Sequence, residues 1–450
     1  MEASEWRDMC ARVGSRQPFP VDAVGFAGGD LGRYEHVLVV PVCGEPIAGI
    51  RRLLESINED TLTILVVNQN PESRDEYIEA NNALMVAIDR TEQLSARKKV
   101  VAFHCWLPTA FGVGGARRIG CGIALELIRS GLILNHWLHN TDADCVLPTN
   151  YFSRTLKRVH KRTGMVLHGL GHIGSGADLE AACALECGLI LGQLWLVRVQ
   201  TPHALVPSGT GISCSAQAYA EAGGWAPWAY AEDTSMIARL SNVGPVEIAP
   251  DVRVRFEARP ISRAISPLAK DGEAGHGGEV SRLAKGIAAD KKIKTASPAA
   301  WHTFAVMVRA IEMWLRGDLA HDVPVVSALI LASERCELKG GVDIDVATEI
   351  FEVVIGSPSM LFRVPGKRQR KAFWTQILDY TKQAALLNLL SAKMGDRGRI
   401  LLRDAIDGSP FGVKHGDSWV KTAEALAKVE ERHCCVTTGA GSIENDEVAT

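Results

Sequence analysis

Trp137-Leu-His-Asn-Thr-Asp-Ala-Asp-Cys-Val146 is the stretch on which the fold turns. The apolar run Leu132–Leu138 predicts a strand, and two carboxylates one residue apart follow it. In an open parallel sheet, ligands bind beyond the carboxyl ends of the strands. Asp142 and Asp144 would therefore stand where chemistry is expected. Two hard oxygen donors at this spacing can hold Mg²⁺ or Mn²⁺ and leave positions for phosphate oxygens. The same tripeptide also serves as a polar turn that caps a following helix. Taken alone, it leaves both readings open.

Outward from this stretch, strands and helices alternate. His36–Val42 and Leu62–Val67 read as buried strands, with helical spacing over 46–57 between them and a polar helix over 74–96 after them. Lys99–Cys105 is a third strand and 115–130 a helix, so a parallel sheet with helices on its faces is expected. Further strands are expected at Val166–His168, Ile212–Ser215 and Val252–Phe256, with helices over 178–199, 216–222 and 231–241. Residues 1–35 read as an irregular lead-in, 36–285 as one α/β domain, 286–436 as a helical region and 437–450 as a disordered tail. The helical region would shape one side of a ligand site or mediate homo-oligomers.

Composition narrows the class. Lys and Arg total 49 against 52 Asp and Glu, a net charge of −3, which does not fit a nucleic-acid binder held by bulk charge. Apolar residues at 47% and charged residues at 22% are those of a globular chain. The 11 cysteines are odd in number, and Cys121, Cys183, Cys187 and Cys214 lie in apolar runs, as reduced thiols of a cytoplasmic protein would. The opening residues carry acids where a secretion signal needs a basic start. The most apolar segment, Leu179–Val199, is broken by Glu180, Glu186, Gln193 and Arg198, so a buried helix is expected and no transmembrane segment.

A second informative run ends in Ala222-Gly-Gly-Trp225, and Glu232-Asp233 opens a helix seven residues later. A carboxylate in a first helical turn is stabilised by the dipole, and an ionised Asp can take a proton from a hydroxyl. Trp225 could offer a flat face to a sugar ring. Acids also enrich ordinary helix starts, so these residues alone do not separate the two readings. His276 lies in the Gly-rich segment 272–278 and reads on its own as a loop histidine, though an imidazole suits Mn²⁺ better than Mg²⁺. His168 and His172 read as local hydrogen-bond partners, and Lys367–Lys371 as a solvated helix start. Cys434-Cys435 beside His433 has no second ligand pair at zinc spacing.

Together these runs resemble glycosyltransferase family 2, the nucleotide-sugar transferases with a GT-A fold. The resemblance covers about residues 36–260. It rests on Val-Val-Pro-Val-Cys-Gly-Glu-Pro46, Gly-Gly-Ala-Arg-Arg-Ile-Gly (114–120), Thr-Asp-Ala-Asp (141–144), Ala-Gly-Gly-Trp (222–225) and Glu-Asp-Thr-Ser-Met-Ile-Ala-Arg-Leu (232–240). It implies a Rossmann-like mixed sheet flanked by helices, and transfer of a sugar from a UDP- or GDP-linked donor to a hydroxyl acceptor with Mn²⁺ or Mg²⁺. Pro41, Glu45, Asn68, Arg117 and Asp142 would lie at the nucleotide sugar. Asp142 and Asp144, with His276 from a late loop, would hold the metal. Gly223, Gly224 and Trp225 would border the acceptor, with Asp233 as base beside Glu232. The chain departs from the family pattern at Asn68-Gln69-Asn70, where an acid is usual, and at Arg118, where Asn is usual. These departures motivate the alternative of a nucleotide-sugar-binding or scaffold protein without turnover.

Overall fold

The computed structural model of the protein describes residues 3–17, 22–27, 32–90, 98–108, 111–199, 201, 210–228, 232–259, 293–320, 322–336, 341–354, 380–416, 418–434 and 437–438. The chain forms two compact units, residues 1–179 with 207–282, and 180–206 with 283–450.

The first unit is built on a mixed sheet. Its strands are β1 (Asp22–Ala27), β2 (His36–Val42), β3 (Thr61–Gln69), β4 (Lys98–Trp106), β5 (Trp137–Asn140), β6 (Cys145–Val146), β7 (Met165–Ile173), β8 (Ile212–Ser215) and β9 (Val246–Glu257). The order across the sheet is β1-β4-β3-β2-β5-β8-β7-β9, with β6 paired to β9. β2 runs parallel to β3 and β5, and β3 parallel to β4, which makes the parallel core. β1 on β4 and β8 on both β5 and β7 are antiparallel.

β2 is buried along its whole length, as a strand covered on both faces must be. Leu38, Val40 and Val42 point to the face holding Ile50, Leu53 and Leu54 of α2 (Ile47–Ser56), together with Tyr151 and Phe152. The intervening Val39 points to the opposite face, against α4 (Val113–Arg129). The helices expected over 46–57, 74–96 and 115–130 thus form, the second as α3 (Asp75–Arg90), and a short α5 (Tyr151–Leu156), α7 (Ala216–Glu221) and α8 (Glu232–Val243) follow.

Two expectations fail here. The lead-in is not irregular: it contains α1 (Ala3–Ser15) and the edge strand β1, with Met9 and Val13 buried one helical turn apart. β1 carries a register shift between Ala23 and Gly25 in its pairing with β4. The fourth strand also lies later than Leu132–Leu138. Only Trp137–Asn140 pairs as a strand, while Ile133 forms an isolated bridge with Tyr34. His139 and Asn140 belong to the buried strand, so its polar end is masked as a strand signal.

The second unit is helical. α6 (Gly176–Arg198) joins it from Glu180 onward, so the apolar helix belongs with the C-terminal region and not with the sheet domain. It is the one described helix long and apolar enough to cross a membrane, and 67% of its apolar window is buried. Trp195 stacks on Trp301 at 5.9 Å, and Glu180 accepts hydrogen bonds from Ser418 Oγ and the Trp419 amide at 2.6 and 2.7 Å. α9 (Pro298–Arg316) has Ser297 as N-cap, Pro298 in its first turn and Gly317 as a left-handed stop, the capping pattern its sequence spells. α10 (Val325–Arg335), α11 (Ile344–Val354) and α12 (Tyr380–Lys393) fall within the expected helical region. Thr437 and Thr438 form a short strand where a disordered tail was expected, and 439–450 lie outside the described residues.

Candidate active site

β5 ends at Asn140 and the chain turns at Thr141, whose amide donates to Val39 O of β2 at 3.3 Å. The Cys145 amide closes the turn on Asp142 O at 3.3 Å, and β6 then pairs with β9. Asp142 and Asp144 are thereby fixed between two paired strands at the carboxyl end of the parallel core.

Arg117, on the second turn of α4, is 2% exposed. Its Nη2 donates to Asp142 Oδ1 at 2.6 Å and its Nη1 to Glu232 Oε1 at 2.5 Å. Its guanidinium carbon lies 5.0 Å from the ring centroid of Trp225, close enough for cation–π attraction. Burial alone pulls the guanidinium pKa down, but Asp142 and Glu232 more than offset this and hold it above its ordinary value. Thr210 Oγ1 donates to the other oxygen of Asp142. Gly114 allows the arrangement. Its amide donates to Trp228 O at 3.1 Å, and a Cβ there would lie 2.1 Å from Ala226 O and 2.9 Å from Glu232 Cβ.

A second arginine serves the other acids. Arg259 grips Glu45 through Nη1 and Nη2 at 3.1 and 3.0 Å, and lies 3.4 Å from Asp144 Oδ2. Glu45 reaches this edge because Gly44 turns the chain after β2 with φ +63°, its amide donating to Asn81 Oδ1 at 2.9 Å. Burial pushes the Asp144 carboxyl up to about 7 against the pull of Arg259, with Asp142 and Glu45 adding to the push. Glu232 is also raised by burial, against the pull of Arg117.

Several sequence-derived residues meet here, namely Asp142, Asp144, Glu45, Arg117, Glu232 and Asp233. Asp233 is partly buried next to Glu232, its Oδ1 accepting from the Thr234 amide at 2.7 Å. Others take different places. Arg117 is enclosed, and its terminal nitrogens serve Asp142 and Glu232. Trp225 offers no face to a sugar: it is 0% exposed and forms the floor beneath Arg117. Gly224 is buried and Gly223 exposed, both at left-handed φ in a turn whose carbonyls are clamped by Arg118 and Arg239. Arg118 thus has a structural reason to differ from Asn. Asn68 directs its amide hydrogens at Val42 O and Val66 O, at 2.9 and 3.2 Å, and so braces the sheet end. Pro41 is a buried residue of β2 beside Val66. His276 and Lys367–Lys371 lie outside the described residues.

Sequence reasoning missed Arg259, Thr210 and Trp228. Trp228 is 52% exposed and bridges to Phe111, close to the entrance of α4. Its indole, three residues from the buried Trp225, was the aromatic to consider.

Among the described residues no group of three or more His, Cys, Asp or Glu side chains gathers as a metal cage. A hard cation held jointly with a phosphate needs fewer protein ligands than that. The donor set fits such an ion. Asp142, Asp144 and Glu45 bring hard carboxylate oxygens to one edge of the sheet, tied together there through Arg117 and Arg259.

No protein-family model matches the chain, and none of the curated proteins matches it.

Proposed function

We propose that the protein is a metal-dependent glycosyltransferase with a GT-A fold, moving a sugar from a nucleotide-diphosphate donor to a hydroxyl acceptor at the Asp142 edge of the sheet. One observation carries this reading: Arg117 ties Asp142 of the Asp-Ala-Asp turn to Glu232 of the Glu-Asp helix start. Two motifs far apart in the chain become one constellation at the strand ends, where an open sheet binds ligands.

In this reading Asp142 and Asp144 hold Mn²⁺ or Mg²⁺, which when bound supplies charge to stabilise the diphosphate leaving group. The protein's own groups do the rest. Arg117 and Thr210 orient Asp142 from opposite oxygens. Glu232 anchors Arg117, which leaves the neighbouring Asp233, at the start of α8 (Glu232–Val243), to accept the acceptor's hydroxyl proton. Trp228 supplies an exposed aromatic beside this entrance, suited to the apolar face of a sugar ring.

The test is nucleotide release from a panel of UDP-, GDP- and dTDP-linked sugars with Mn²⁺. Release that falls in Asp144→Ala and Asp233→Ala is expected. Normal turnover by Asp144→Ala removes the metal role, and normal turnover by Asp233→Ala removes the base role. One feature favours the rival reading of a binding protein without turnover: Asp142 and Asp144 each already face a guanidinium. Nucleotide binding without transfer to any acceptor across a broad screen would establish that rival.

A further inference from the structure

Arg259 follows β9 by two residues, and its guanidinium joins carboxylates brought from separate parts of the chain. The grip on Glu45 is side by side, at 3.1 and 3.0 Å, the fork geometry in which guanidinium and carboxylate match. The contact with Asp144 is looser, at 3.4 Å, and Nε lies 3.3 Å from Glu257 Oε2. Arg259 is also more open to solvent than Arg117, at 18% against 2% side-chain exposure. Arg117 is enclosed and cannot leave Asp142, whereas Arg259 has one strong partner, Glu45, two weaker ones, Asp144 and Glu257, and a solvent-facing side.

We propose, resting on the metal-diphosphate reading of this edge, that Arg259 is a built-in cation that holds Asp144 until the divalent ion arrives with its diphosphate and then yields it. A carboxylate already facing a guanidinium is a poorer ligand, because the ion must displace that charge. The tighter grip on Glu45 keeps the displaced guanidinium at the edge. Phosphate oxygens offer it the planar, two-pronged partner that arginine matches well. Ion and diphosphate therefore bind better together than either alone, and the bare ion is held weakly.

The experiment titrates Mn²⁺ alone into the full chain, following the free ion by electron paramagnetic resonance, in wild type, Arg259→Gln and Arg52→Gln. Arg52 pairs with Glu257 at 3.1 Å, so its loss removes a nearby positive charge without touching Glu45 or Asp144. Arg259→Gln is expected to tighten Mn²⁺ binding about tenfold, as loss of a charged hydrogen-bond partner would, with Arg52→Gln unchanged. Adding inorganic pyrophosphate should strengthen Mn²⁺ binding by a larger factor in wild type than in Arg259→Gln. Equal Mn²⁺ affinity in wild type and Arg259→Gln, or an equal pyrophosphate factor, overturns the proposal. Mn²⁺ binding to neither protein overturns the metal reading on which it rests. Should Arg259→Gln fail to fold, Arg259→Lys keeps the charge and loses the fork. A smaller tightening is then expected, and unchanged affinity overturns the proposal equally.

Discussion

The strand that leads to Asp142 passes through two buried polar networks of opposite character. Ser213 Oγ in β8 lies 2.8 Å from His139 Nδ1, 2.9 Å from His168 Nε2 and 3.2 Å from Tyr151 OH. A hydroxyl has one hydrogen and two lone pairs, so it can serve all these partners. Burial pushes the imidazole pKa down, to about 3 at His168 and well below the ordinary value at His139, so the network is neutral. Three residues after His139, the chain enters the network of Asp142, Arg117 and Glu232, which is joined by ion pairs at 2.6 and 2.5 Å. Neutral groups can be buried at modest cost once hydrogen-bonded, whereas buried charges require partners of opposite sign. The first network fixes β5 against β8, and the second keeps charge at an edge open to a ligand. The difference teaches that burial alone does not mark a site. What marks it is charge retained against the cost of burial.

Removing Arg117 should break this comparison most strongly. Arg117→Met would leave Glu232 buried without its counter-charge, and should destabilise the protein by about 3–5 kcal/mol. Urea unfolding measures this. Arg117→Met combined with Glu232→Gln should recover a large part of the loss, and a double variant no more stable than the single one would show that the pair is not the cause.

Asp233→Asn tests whether the charged network also has a functional member outside the ion pairs. Turnover should fall by about 10²–10⁴-fold, the contribution of a general base, while stability stays within about 0.5 kcal/mol, as for a surface change. Nucleotide release and the urea midpoint, measured on the same preparation, separate the two effects. A large loss of stability would place Asp233 with Glu232 as a structural acid.

Ser213→Ala attacks the neutral network. It would deprive His139, His168 and Tyr151 of a shared partner and should cost about 1–3 kcal/mol. Mn²⁺ affinity should not change, since Ser213 touches none of the charged residues at the edge. A change in Mn²⁺ affinity would mean that the two networks act as one.

Legibility differed between these networks for physical reasons. β2 and β3 are continuous apolar runs and could be placed from the sequence, as could β8, whose four residues match. Asp142, Asp144, Glu232 and Asp233 were legible because acids after a strand or at a helix start stand out against apolar neighbours. Their mutual arrangement was not. Nothing local tells that Arg117 faces inward, since its burial depends on Gly114 letting α4 approach Ala226 and Trp228. Arg259 was hidden for the same reason: its partner Glu45 lies 214 residues away in sequence. The histidines misled in the other direction. Polar residues at the end of β5 moved the expected strand upstream to Leu132–Leu138, although His139 is fully buried.

The smallest expected effect concerns pH and sets the neutral network against Asp144 of the same sheet edge by sign. His168 has a folded-state pKa of about 3 against 6.5 unfolded, so below pH 6.5 the unfolded chain binds the extra proton. Its contribution to stability is fully present above 6.5 and is lost as pH falls towards 3. Between pH 6.5 and 5.5 the loss is about 1 kcal/mol for one such imidazole. Asp144 carries the opposite sign, because its pKa is raised from 3.8 to about 7 and its contribution declines as pH rises through that range. The two oppose each other in the wild type, so the net slope does not separate them. His168→Asn cannot titrate there, and the difference between its urea midpoints and those of wild type across pH 7.5 to 5.5 isolates the imidazole. Wild type should lose about 1.4 kcal/mol relative to the variant over that range. A difference that is flat with pH would mean that His168 is not held neutral by burial, and the contrast between a neutral and a charged network would then fail at its better-packed end.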